Sequence, residues 1–198
     1  MKESKGNNIL LTIIGIATLL VAVIGATFAY FTAVLSNNET GTSITINSGT
    51  LGITFVGGSS INIQNIYPRG NPAALVATDA WATKTFSVMG NTTAAANINY
   101  ALALSVNSNG FSADALKYTL AVDPGSSTNG NKAPAISATS VPTTPGSYSI
   151  GSSCYFAGPT GGNVTHTYIL SIFFPDTGSN QNTDQGKTFE AHVEISST

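Results

Sequence analysis

ANINYALALSV, residues 96–106, alternates apolar with small or polar side chains along its whole length. Ile98, Tyr100, Leu102, Leu104 and Val106 fall in one phase, and Asn97, Asn99, Ala101, Ala103 and Ser105 in the other. Successive side chains of an extended chain project to opposite faces, so this pattern predicts a β-strand with one buried face. The same period recurs three times. Leu116, Tyr118, Leu120 and Val122 share a phase, as do His166, Tyr168, Leu170, Ile172 and Phe174. Phe189, Ala191, Val193 and Ile195 form the last such set, opposite Glu190, His192 and Glu194. Shorter runs at 43–46, 51–56, 59–66 and 80–88 read the same way, with weaker ones at 147–150 and 154–156. Turn chemistry separates them, as in Gly57-Gly58, Pro68-Arg69-Gly70, Gly90-Asn91 and Gly161-Gly162-Asn163. One apolar and one polar face is the pattern of antiparallel sheets packed on a single core. The expectation is an all-β, jelly-roll-like antiparallel sandwich over residues 43–198. A helical turn is expected only at 112–116.

The composition agrees with that class. Of 198 residues only 8% are charged, while 42% are hydrophobic. Disorder needs low hydrophobicity together with high charge, and this chain has neither. The net charge is −2, and no Lys/Arg cluster follows Lys5, which argues against a nucleic-acid partner. Cys154 is the single cysteine, so no intramolecular disulfide forms and the core is held by apolar burial or by a partner chain. Cys154 itself reads as a half-buried small hydrophobe, the alternative being a thiol that pairs between molecules.

The N-terminus has a different character. Lys2 and Lys5 precede the uncharged run ILLTIIGIATLLVAVI, residues 9–24, and small residues then lead to Gly25-Ala26-Thr27-Phe28-Ala29-Tyr30-Phe31. This is the order of a secretory signal peptide. Counted through Phe31 the apolar stretch is roughly 23 residues, also enough to span a bilayer of roughly 30 Å. Residues 1–29 are therefore read as a signal peptide cut between Ala29 and Tyr30, or as a retained membrane anchor over 9–31. Either way the two lysines hold the N-terminus in the cytoplasm and put residues 32–198 outside the cell. Secretion or cell-surface display follows, with the membrane and a signal peptidase as the first partners. No hydrophobic tail or basic end follows Ile195, so attachment is expected through the N-terminus or through assembly.

Three stretches lie between these elements. Residues 30–42 form a linker that is uncharged except for Glu39 and free of proline. With Phe31, Val34, Leu35, Ile44 and Ile46 it is a candidate donor strand, able to complete the open sheet edge of another subunit. The alternatives are a tether or the domain's own first strand. Residues 123–147, rich in Pro, Gly, Ser and Thr, read as a long loop, mobile or functional. Residues 175–186 read as a polar connection.

Three motifs resemble the TasA/camelysin proteins, which are exported with a SipW-type signal peptidase in Gram-positive bacteria. Gly25-Ala26-Thr27-Phe28-Ala29-Tyr30-Phe31 is similar to the export signal of that family. Asn47-Ser48-Gly49-Thr50-Leu51-Gly52-Ile53 resembles its G-T-L-D-L strand, with Gly52 in place of the acid. Ile66-Tyr67-Pro68-Arg69-Gly70, followed by Lys84-Thr85-Phe86-Ser87-Val88 and Gly90-Asn91, resembles its L-x-P-G turn, strand and second turn, with extra residues between Gly70 and Lys84. The resemblance covers the first hundred residues and, more weakly, the strand at 185–189. It implies a jelly-roll-like subunit of a surface or biofilm-matrix fibre, in which an N-terminal strand of one subunit completes the sheet of the next. Partners would be further copies of the chain or other matrix proteins.

Catalytic signatures are sparse. Camelysin-type proteins have been described as metallopeptidases, but this chain has only His166 and His192 and no H-E-x-x-H. Glu190, His192 and Glu194 share a strand face at about 7 Å spacing, which reads as a solvated face before it reads as a metal site. His166, in an apolar phase, reads as a satisfied core or edge histidine. There is no G-x-S-x-G elbow. Asp176, Asn180, Asn182 and Asp184 offer oxygen ligands for calcium in one loop, though without EF-hand spacing, and Asp and Asn also make ordinary turns. Tyr67, Trp81 and Tyr155 are candidates for a sugar or partner surface, against a default of core aromatics. Sequons at Asn38, Asn91 and Asn163 matter only in a glycosylating host. The reading is an exported, non-enzymatic surface or matrix protein without a cofactor. A membrane-tethered binding or adhesion module is the second choice, and a camelysin-like metallopeptidase a distant third.

Overall fold

The computed structural model describes residues 12–21, 43–48 and 51–197. The chain divides into two units, residues 1–34 and 35–198, and each is described by itself. In the first, residues 12–21 (TIIGIATLLV) form an α-helix within the apolar run. Among the described residues no helix is long and apolar enough to cross a membrane. The cleavage positions Ala29 and Tyr30, the donor residues Phe31, Val34 and Leu35, and the Asn38 sequon lie outside the described residues.

The described residues of the second unit form ten strands: β1 (Ser43–Ser48), β2 (Leu51–Val56), β3 (Ile61–Gln64), β4 (Ala80–Thr92), β5 (Ile98–Asn109), β6 (Lys117–Val122), β7 (Ile136–Ser140), β8 (Gly146–Phe156), β9 (Val164–Phe173) and β10 (Thr188–Ser197). They form two sheets, one six-stranded with order β1-β2-β4-β9-β6-β7 and one four-stranded with order β3-β10-β5-β8. All of the pairings are antiparallel. The two inner faces share one core, and the all-β sandwich expected from the alternation is what the chain forms.

Each long strand buries the phase that its sequence marks. In β5, Tyr100 and Leu104 are fully buried and Leu102 and Val106 nearly so. In β9 the buried row is His166, Tyr168, Leu170 and Ile172, and in β10 it is Phe189, Ala191, Val193 and Ile195. Aromatic rings pack along each sheet and, at Phe156 and His166, between the two. Tyr168 stacks on Phe86 at 5.3 Å between centroids, and Phe156 stacks on Tyr100 at 5.4 Å and on His166 at 4.2 Å. Full burial of one large apolar side chain contributes about 1.5–3 kcal/mol, so this row and its facing partners dominate the stability.

Two expectations are corrected. The loop expected over 123–147 contains β7, which pairs with β6, and its last residues already belong to β8. Its other parts are tied to neighbours by backbone bonds, with Ser127 N donating to Thr165 O and Asn131 exchanging two bonds with Tyr155. The turn expected at 112–116 is present, closed by Ala115 N donating to Ser112 O, but it is not alone, since 3-10 turns also form at Ala77–Asp79 and Asn182–Asp184. The two weak runs at 147–150 and 154–156 are one strand, β8. Its register against β5 shifts on both sides of Leu102, and Ser153 takes a left-handed φ of 58°. Bulges insert unpaired residues and break the period of two.

Candidate functional site

At one end of the sandwich the segment after β3 and the connection between β9 and β10 form two walls of a groove of about 820 Å³. Its walls are held together by backbone. Arg69 N donates to Phe174 O at 2.8 Å, and Asp176 N donates to Gly70 O at 3.0 Å. Gly70 has φ of 80°, and a Cβ there would strike the Asp79 carboxylate, so the turn after Pro68 requires glycine. Asn65, with φ of 55°, turns the chain out of β3; asparagine tolerates this region better than other non-glycine residues.

Tyr67 stands on the rim of this groove, 62% exposed. Its ring meets Trp81 edge-on at 4.9 Å, and Trp81 Nε1 donates to the Tyr67 carbonyl at 3.1 Å. The Arg69 guanidinium lies 3.8 Å over the Trp81 ring. Arg69 also donates through Nε to Asp79 O at 3.1 Å and through Nη2 to Ala80 O. The cation is thereby turned to structural use beneath the aromatic pair. Tyr155, the third aromatic candidate, belongs to β8 and does not line the groove.

The calcium candidates sit here but do not converge. Asp176 Oδ1 accepts from Gly178 N at 2.8 Å, and Asn180 Oδ1 accepts from Asn182 N at 2.9 Å, both closing Asx turns. Asp184 is buried with its Oδ1 accepting from Ser112 N at 2.6 Å, and unlike the other three it does not line the groove. Among the described residues no three His, Cys, Asp or Glu side chains gather as a metal site.

The histidines are in different places. His166 is fully buried, with Nδ1 2.6 Å from the Tyr100 hydroxyl and Nε2 2.7 Å from Asn129 O. The Tyr100 hydroxyl is also 2.7 Å from that of Tyr168, which accepts from Ala133 N at 3.1 Å. This polar chain pins Asn129 and Ala133, both in the 123–147 segment, to the core. Burial holds His166 below the usual histidine range and raises the Tyr100, Tyr168 and Cys154 groups. Cys154, expected to be half-buried, is wholly enclosed.

His192 lies on the outer face of the four-stranded sheet, yet it is only 7% exposed and its Nδ1 is buried without a partner. Its Nε2 is 3.2 Å from Glu194 Oε1, and Ser147 Oγ donates to Glu194 Oε2 at 2.9 Å. The serine therefore meets the carboxylate and not the imidazole, which leaves it without the base that a nucleophile arrangement needs. Glu190 accepts from Asn107 Nδ2 at 3.3 Å instead of joining them.

Ile44 and Ile46 of the donor-strand candidate lie in β1, the outer strand of the six-stranded sheet. Among the described strands β1 is hydrogen-bonded to β2 alone, with Ile44 opposite Phe55 and Ile46 opposite Ile53. The sequons Asn91 and Asn163 face one another, Asn91 Nδ2 donating to Asn163 Oδ1 at 2.7 Å. The signal that sequence reading missed is the pairing of Asn65–Pro68 with the 176–186 connection, since only the fold brings those segments together. No family model, curated protein or solved structure matches the chain.

Proposed function

We propose that this is an exported, non-enzymatic surface or matrix protein whose jelly-roll-like subunits assemble by exchanging an N-terminal strand. The observation that carries this reading is the position of β1. Among the described residues it is the first strand after the apolar N-terminal run, it lies at the edge of its sheet, and its one ladder, of six residue pairs, runs to β2. An edge strand held on one side costs little to exchange for the same strand of a neighbour, because the ladder lost is rebuilt with identical residues. The export signal and the resemblance to TasA/camelysin proteins support the same reading, with cleavage between Ala29 and Tyr30 releasing the segment.

The test uses the β1–β2 register, in which Thr45 lies opposite Thr54. The protein carrying Thr45→Cys and Thr54→Cys is oxidised after isolation from the cell surface, and its N-terminal residue is determined by mass spectrometry. Strand exchange yields a disulfide-linked ladder on a non-reducing gel from chains that begin near Tyr30. Filaments whose disulfides are all intramolecular would rule out exchange through β1. An intact Met1 in the membrane fraction, with no ladder, favours the second reading, a membrane-tethered binding module that presents the groove beside Tyr67.

A further inference from the structure

We propose that the groove between Tyr67 and the 176–186 connection binds a neutral polysaccharide. This inference is independent of strand exchange, since the groove is formed without β1.

Three features point to that ligand class. The first is a presented aromatic. Tyr67 is an exposed ring whose position is fixed by Trp81 and, through it, by Arg69, so little freedom is lost when a ligand packs on it. A tyrosine offers an apolar face and a polar tip, which suits a pyranose ring with its C–H face and its hydroxyl edge. The second feature is the polar complement. Five side-chain amides line the groove, from Asn65, Asn180, Gln181, Asn182 and Gln185. Gln181 is committed, accepting from Thr177 and donating to Pro175 O, and the Asn180 oxygen closes a turn. No hydrogen bond occupies the side-chain amides of Asn65, Asn182 and Gln185 among the described residues. Each offers both a donor and an acceptor, as vicinal hydroxyls do. An apolar ligand covering them would strand those groups at a cost, whereas a hydroxylated one satisfies them.

The third feature is charge. Asp176 is the one ionisable acid or base in the lining apart from the Tyr67 phenol, and no lysine or arginine contributes to it. Two cations adjoin the lining in sequence: Arg69, after Pro68, is turned onto Trp81 and two backbone carbonyls, and Lys187, after Gly186, runs beside Gly110 and is not part of the lining. An anionic polymer would meet a carboxylate and no counter-charge, so the groove selects uncharged sugars. Its volume of about 820 Å³ lies within the range of small-ligand sites, about 300–1,000 Å³, and it is open enough to let a chain run on past it.

Trp81 is the single tryptophan of the chain and touches Tyr67, so its emission reports on the groove. The full-length chain, in a detergent without a sugar headgroup, is titrated with cello-oligosaccharides, with N-acetylglucosamine oligomers and with polyglycerol phosphate. The expected result is a saturable change in Trp81 emission with a neutral oligosaccharide and none with the phosphate polymer. Tyr67→Ala is expected to weaken pull-down on the insoluble form of that sugar at least about tenfold, as loss of an aromatic anchor does, with thermal unfolding unchanged. Asn182→Ala, on an exposed side chain, weakens it by a smaller factor and serves as the second variant should Tyr67→Ala disturb the fold. Equal binding by both variants, tighter binding of the phosphate polymer, or no binding of either neutral series overturns the proposal. Because the Thr45/Thr54 disulfide ladder is read separately, loss of sugar binding with an intact ladder counts against the groove alone.

Discussion

The Tyr100 hydroxyl lies 2.6 Å from Nδ1 of His166 and 2.7 Å from the Tyr168 hydroxyl, at the centre of a chain with one consistent proton order. Asn129 O can only accept, so His166 Nε2 carries a proton and donates to it. With the imidazole neutral, Nδ1 accepts from Tyr100. Tyr100 then accepts from Tyr168, and Tyr168 accepts from Ala133 N. Every group is used once in its proper sense, and the direction is fixed at both ends by backbone.

Tyr100→Phe breaks this chain at its middle. The ring volume is kept, but His166 Nδ1 loses its donor and the Tyr168 proton its acceptor, both inside the core. An unsatisfied buried polar group costs about 1–3 kcal/mol, so destabilisation by about 2–4 kcal/mol is expected in urea unfolding with an unchanged slope. The double variant Tyr100→Phe/His166→Phe should cost less than the two single losses added, because one shared bond is then counted once. Additivity would show that Tyr100 and His166 do not act as a unit.

His166 also sets a pH dependence. Burial lowers its pKa most, Lys132 lowers it further, and the bond to Asn129 acts in the opposite sense. The unfolded chain takes up a proton near the ordinary value of about 6.5, while the folded chain resists until lower pH. Between those two points the unfolded state binds more protons, so stability falls as pH falls. Full stability is expected above about pH 7, with a decline as pH falls below the ordinary histidine value, at a slope of at most about 1.4 kcal/mol per pH unit for one proton. His166→Gln should be less stable at pH 8 but flatter across that window. Identical slopes in the two proteins would remove His166 as the cause.

Legibility in the sequence followed the period of two. Where one strand keeps strict alternation over many residues, as in β5, β9 and β10, the buried face could be named residue by residue, His166 included. β8 looks like two fragments in the sequence because its bulges displace the inward phase between Ile150 and Cys154. β7 looks like loop in the sequence because its residues, Ile136–Ser140, are mostly exposed and carry no apolar face; its pairing with β6 comes from tertiary contact. Tyr67 and Trp81 were recognisable as aromatics worth attention. The groove itself was not, because its second wall lies over a hundred residues further along the chain, and its amides look like ordinary turn residues until the fold sets them opposite a tyrosine. His192 shows the reverse limit: its polar phase predicted a solvated position, yet its neighbours on that face cover it.

Gly90 is a packing requirement that no alternation pattern reveals. It occupies an inward position on β4, and a Cβ there would come within 3 Å of three carbons of the Phe156 ring on the opposite sheet. Phe156 is itself fully buried and stacked against Tyr100 and His166, so it has no free direction in which to move. Overpacking a closed core costs about 1–3 kcal/mol. Gly90→Ala is therefore expected to lower the thermal midpoint by several degrees, about 2–4 °C per kcal/mol in a chain of this size. Gly90→Ala combined with Phe156→Leu should recover part of that loss by opening space at the contact. A Gly90→Ala protein as stable as the parent would mean that the sheets separate here at no cost.

Cys154 gives a test of whether the sandwich opens as a whole. The residue is fully buried and burial raises its thiol pKa, so the reactive thiolate is both scarce and shielded. Tyr168 acts in the lowering sense on the same thiol, but burial is the larger influence. In the native protein at pH 8 a thiol reagent is expected to react only as fast as the core opens, with a rate that rises in step with urea and that Tyr100→Phe increases through the equilibrium it shifts. An intermolecular disulfide through Cys154 is then closed to the folded chain, and any oxidised dimer must trace back to unfolded material. Labelling that is fast in the native state and indifferent to Tyr100→Phe would mean that β8 detaches from β5 locally. The bulges on either side of Leu102 would be the place where that strand lets go.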